Sequence, residues 1–69
     1  MKYKVKWIYE DPNDRKFKTS TAIFENIHAI ETVTRDDDAY FRLSATTLEQ
    51  FEIPLANVIW VKNMAYGGR

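Results

Sequence analysis

The sequence predicts an all-β fold: a small, partly open barrel of five to six short strands with one short 3₁₀ turn. Three observations predict it. Apolar and polar residues alternate with period two over residues 2–10 and 39–46. β-branched residues crowd residues 19–34. Turn-forming clusters, Asp11-Pro12-Asn13-Asp14 and Arg35-Asp36-Asp37-Asp38, divide these runs into strand-sized pieces.

The first strand places Tyr3, Val5, Trp7 and Tyr9 on one face and Lys2, Lys4 and Lys6 on the other. Asp11 and Pro12 suit the first two positions of a type I turn, with the Asp side chain capping it. A second strand over residues 17–24 alternates through Phe17, Thr19, Thr21 and Ile23. Here an α+β alternative competes. Ile23, Phe24, Ile27, Ile30 and Val33 also form a helical stripe over residues 20–34, with Ser20 as a cap. Thr19, Thr21, Ile23, Ile27, Ile30, Thr32, Val33 and Thr34 oppose a helix, because β-branched side chains lose rotamer freedom against the preceding turn. Two strands broken near Glu25-Asn26 are favoured.

The Asp36–Asp38 segment reads as a hairpin tip. Beyond it Phe41, Leu43 and Ala45 point inward, and Tyr40, Arg42 and Ser44 outward. Thr46 to Glu49 forms a turn, and Phe51 and Ile53 point inward on a short fifth strand. Pro54 lacks the N–H a ladder needs and ends that strand. Leu55-Ala56-Asn57 supplies one 3₁₀ turn, and residues 58–61 resume as the closing strand. The predicted core is Tyr3, Val5, Trp7, Ile23, Ile27, Ile30, Val33, Phe41, Leu43, Phe51, Ile53, Leu55, Ile59 and Val61. Residues 1–64 read as a single small β domain and residues 65–69 as a flexible C-terminal tail.

This order of short strands, one helical turn and a closing strand resembles the general plan of small SH3-like or Sm-like barrels. The resemblance is one of architecture and brings no family motif or function with it. It implies that the last strand lies beside the first. Ile59 and Val61 would then share one face of the last strand, and Val58 and Trp60 the other. With apolar residues on both faces, either the strand is covered on both sides within the monomer or one side meets another molecule, and a chain this size has little material for a second layer.

A chain of 69 residues is marginal as an isolated domain. It has no cysteine and one histidine, which excludes disulfides, thiolate metal sites and histidine-rich metal sites. Packing or self-association remains as the source of stability. No apolar run is long enough to span a membrane, and MKYKVKWIYE lacks the features of a signal peptide, so a soluble cytoplasmic protein is expected. Net charge is zero, yet residues 1–20 carry six basic and three acidic groups, and residues 21–54 two basic and seven acidic.

No nucleotide-binding or hydrolase motif is present, and His28 has no nucleophile beside it in sequence. A non-enzymatic protein is expected, with no catalytic residue, cofactor or metal. The aspartate run supplies too few convergent oxygens for calcium and reads as a solvated tip.

Two binding hypotheses follow. The first is a protein-interaction module, self-associating or docking a protein partner through Trp60, Val58, Met64 and Tyr66, since large aromatics mark interface centres. Trp60 reads equally as a cap on one end of the core. The second is a small nucleic-acid-binding module using Lys2, Lys4, Lys6 and Lys18, with Tyr40 and Arg42 as a stacking surface. Against it stand the zero net charge and the habit of lysines to line solvated strand faces.

Overall fold

The computed structural model describes residues 1–64. The expected tail at residues 65–69, with Tyr66, lies outside the described residues. The chain folds as β1 (Tyr3–Glu10), β2 (Phe17–Phe24), β3 (Ile27–Arg35), β4 (Asp38–Ala45), β5 (Gln50–Pro54), a 3₁₀ turn (Leu55–Asn57) and β6 (Val58–Asn63). These form two three-stranded antiparallel sheets, ordered β2-β1-β6 and β3-β4-β5. The all-β expectation and the 3₁₀ turn hold. The helical alternative over residues 20–34 does not, since that segment is the end of β2 and most of β3. First and last strands pair, but the sheets do not close into a barrel. An open groove of about 720 Å³ separates β1 and β2 from β5, lined by Trp7, Tyr9, Phe24 and Phe51.

The turns follow from their residues. Asp11 accepts the Asn13 N–H on its side chain at 2.9 Å, and its own carbonyl accepts the Arg15 N–H at 2.8 Å. The aspartate cap is the one expected of Asp-Pro-Asn, whereas the main-chain bond closes an α-turn, one residue longer than the expected type I turn. Asn26 takes a left-handed φ of 60° at the corner between β2 and β3, a conformation asparagine tolerates better than most residues. The chain thereby leaves one sheet and enters the other. Met1 reinforces the corner: its amino group donates to the Ile27 carbonyl, and the Ile27 N–H donates to the Met1 carbonyl, both at 2.8 Å. Asp36 and Asp37 have φ of 50° and 70°, the pair of positive values that a two-residue type I′ hairpin requires.

Between the sheets lie Val5, Ile27, Leu43, Ala45 and Ile53, all buried. Tyr3, Trp7, Phe24, Phe41, Phe51 and Val58 pack around them. Phe24 links the layers, with its ring 6.3 Å from Trp7 and 5.0 Å from Phe51. Burying a large aliphatic side chain contributes about 1.5–3 kcal/mol.

Five residues expected in the core are exposed: Ile23, Ile30, Leu55, Ile59 and Val61. In β2 the face was read one residue out of phase. Tyr3, Val5 and Trp7 stand opposite Phe24, Ala22 and Ser20, so these point inward and Ile23 outward. Small Ala22 and Ser20 leave room for the bulky side chains of β1. Ile30 does stand opposite buried Leu43, but β3 is an edge strand and leaves it 41% exposed.

Candidate functional site

The closing strand carries an irregularity that sets the candidate site. Lys6 stands opposite Trp60, whereas the next residue, Trp7, stands opposite Val58. Ile59 is therefore an extra residue, a β-bulge that breaks the strict alternation of β6. Val58 turns inward against the core. Trp60 emerges on the outer face beside Lys6 and remains 39% exposed. The expectation that Val58 and Trp60 share a face is corrected by this insertion. Met64 is half-buried, and its N–H donates to the Lys2 carbonyl at 2.8 Å. Trp60 thus stands apart from Val58.

Its neighbours are lysines. On the outer face of the first sheet Lys4 stands opposite both Lys62 of β6 and Ile23 of β2. Lys6 stands opposite both Trp60 and Thr21. A shallow depression of about 420 Å³ opens among Lys4, Trp60, Val61 and Lys62. Among the described residues no ion pair involves Lys4, Lys6 or Lys62. The carboxylates nearest in register lie at the ends of β1 and are engaged: Glu25 with Lys2 at 3.5 Å and Glu10 with Arg15 at 3.0 Å.

The other residues expected to contact nucleic acid are occupied. Lys18 binds Asp11 at 2.6 Å and Asp14 at 3.1 Å. The contact with Asp11, then that with Asp14, holds the Lys18 ammonium above its ordinary pKa. Lys18 and the Asn13 N–H hold Asp11 below the usual carboxylate range. Arg42 lies in the other sheet, between Glu52 at 3.0 Å and Glu31 at 3.3 Å. Arg35 also binds Glu52, and these two guanidinium groups, Arg35 first, lower the Glu52 pKa. The Arg35 guanidinium covers the Tyr40 ring at 4.8 Å from its centroid, so that ring is not a free stacking surface.

Charge segregates by sheet. Residues 1–24 and 58–64, which hold the first sheet, carry seven basic and three acidic side chains. Residues 25–57, which hold the second, carry two basic and seven acidic.

The four sheet edges differ in their protection. β6 has its bulge and Lys62. β5 is short and ends at Pro54. β2 carries Lys18 and follows Arg15 and Lys16. β3 is the longest strand, with nine residues. It has one bulge, at His28, and then runs in unbroken register from Ala29 to Arg35. Between Ala29 and Thr34 its one charged residue is Glu31, which is tied to Arg42.

Lys62 was missed from sequence because the closing strand was ended at Val61. Extending the alternation of residues 58–61 by one position would have found it. The β3 edge was missed because pairing partners are a property of topology. Compared with known protein families, curated proteins and solved structures, the chain matches none.

Proposed function

We propose that the protein is a non-enzymatic protein-interaction module that pairs with a second copy of itself through the free edge of β3. The observation that carries this reading is the contrast among the edges. Three are blunted by charge, proline or a bulge, the usual defences against strand addition. The fourth offers unpaired backbone donors and acceptors over Ala29–Arg35 with little to repel a partner. Pairing two β3 strands about a two-fold axis at Thr32, the centre of that run, joins two three-stranded sheets into one of six. It sets the half-open side chain of Ile30 against Thr34 of the second copy, a contact made twice by the symmetry. A fold with five buried apolar residues among those described benefits from that added burial.

An SH3-like plan fits the strand order, with a bent β2–β3 ribbon and a 3₁₀ turn before the closing strand. The cysteine-free composition suits work in a reducing cytoplasm.

Sedimentation at micromolar concentration tests the reading. The wild type is expected to run as a dimer, and Ile30→Lys and Thr32→Lys as monomers with the β spectrum retained. Trp60→Glu is expected to leave the mass unchanged. A wild type that stays monomeric at the highest soluble concentration overturns the proposal.

A further inference from the structure

Independently of that edge, the geometry points to a binding site for single-stranded nucleic acid on the outer face of β2-β1-β6, with phosphates at Lys4, Lys6 and Lys62 and a base stacked on Trp60. Lys2, Arg15, Lys18, Arg35 and Arg42 all have carboxylate partners. Lys4, Lys6 and Lys62 have none among the described residues, and they share one face. Like charges directly opposite one another in a ladder are destabilising, a cost an anion bound between them would remove. Lys4 and Lys62 are such a pair.

The spacing suits an extended polyanion. Lys4 and Lys6 are two residues apart on one strand, roughly 6.5–7 Å, a stride comparable with that between phosphates of a stretched single strand. One phosphate fits between Lys4 and Lys62, and the next falls to Lys6. Trp60, opposite Lys6, is then beside the sugar-phosphate path and can receive a base. Base–aromatic stacking contributes about 1–3 kcal/mol per base. The carboxylates that would repel phosphate are gathered mainly in the other sheet, which explains how a neutral chain can present a cationic face.

The same face argues for a single strand over a duplex. A flat three-stranded surface has no helix or ribbon to enter a groove, and stacked base pairs hide their π-faces from Trp60. It also argues for sequence tolerance. The outer-face neighbours Thr19, Thr21, Ile8 and Ile23 include no Arg, Asn or Gln to read base edges in pairs of hydrogen bonds.

The test is titration of the full chain with a fluorescein-labelled thymidine oligonucleotide, against its duplex, inorganic polyphosphate and phosphatidylserine vesicles. Binding to the single strand is expected at low salt, with log K falling against log salt at a slope of about −1.4 for two neutralised phosphates. Lys4→Gln with Lys62→Gln removes the phosphate they share and is expected to flatten that slope by about 0.7. Trp60→Ala is expected to weaken binding by about fivefold to more than a hundredfold, with Trp60→Phe recovering part of the loss. Circular dichroism of each variant verifies that it is folded. No binding at low salt overturns the inference. So does polyphosphate, duplex or vesicle binding that equals the single strand and ignores Trp60→Ala, because the face is then a mere cationic patch.

Discussion

Lys6 and Trp60 stand directly across the β1–β6 ladder from one another, yet one step along β1 the partner of Trp7 is Val58. The inserted Ile59 divides an apolar run between two environments. Val58 completes the core, and Trp60 is delivered to a lysine-bearing surface. A strand without the bulge would have turned both the same way.

The Lys4–Lys62 opposition has a measurable effect on stability. Lys62→Glu converts a like-charge cross-strand pair into an opposite-charge one. Urea unfolding is expected to show a gain of roughly 0.5–1 kcal/mol. No gain at low salt would mean that the two ammonium groups are too far apart to interact.

Substitutions should separate core from surface. Leu43 is fully buried, and Leu43→Ala is expected to cost about 2–5 kcal/mol. A domain of this size is held by only about 0.05–0.15 kcal/mol per residue, so that variant should lose a large share of its stability and melt at a clearly lower temperature. Ile23 is 52% exposed, and Ile23→Ala is expected to cost less than about 1 kcal/mol. Equal losses in thermal unfolding would contradict the observed phase of β2.

Leu48 sits at φ 72° in the β4–β5 turn and is 91% exposed. A branched side chain in the left-handed region costs roughly 1–2 kcal/mol, and this one recovers little through burial. Leu48→Gly is expected to raise stability by up to about 1 kcal/mol after the added chain entropy of glycine is counted. A lower midpoint in chemical unfolding would show that the turn needs the leucine.

Acid should weaken the fold through Glu52 and Asp11. Both have pKa values lowered in the folded state, Glu52 by Arg35 and Arg42 and Asp11 by Lys18. Their contribution is present above the unfolded carboxylate values, about 4. It is lost as pH falls through the lower folded values. In Glu52→Gln the midpoint temperature is expected to fall less between pH 6 and pH 2 than in the wild type, both pH values chosen to bracket the carboxylate range, roughly 4. Identical acid profiles would remove the Arg35–Glu52–Arg42 cluster from the stability of the second sheet. Lys18 has the opposite sign: its raised pKa gives a contribution that is lost only as alkaline pH passes its folded value.

Much of the architecture was legible because its causes are local. Tyr3, Val5 and Trp7 alternate on β1, Asp11 caps its own turn, and Pro54 precedes the 3₁₀ turn, each through bonding within a few residues. The phase of β2 was not legible. Ile23 and Phe24 are equally apolar, and the choice between them was made by the fit of Phe24 between Trp7 and Phe51, which are distant in sequence. The bulge at Ile59 was hidden for a similar reason, since it is a mismatch between two strands and leaves no mark on either alone. For the candidate surface, Lys4, Lys6 and Trp60 were each visible but had been assigned to different hypotheses. The pairing of β1 with β6 puts them together and adds Lys62, while ion pairs withdraw Lys18 and Arg42.

Because cations collect in one sheet and anions in the other, a molecule with no net charge carries a substantial electric dipole. In the field of a polyanion it experiences almost no overall pull but a clear torque, so it rotates its lysine-bearing side forward before contact. Adding salt should therefore slow productive encounter as well as loosen the finished complex.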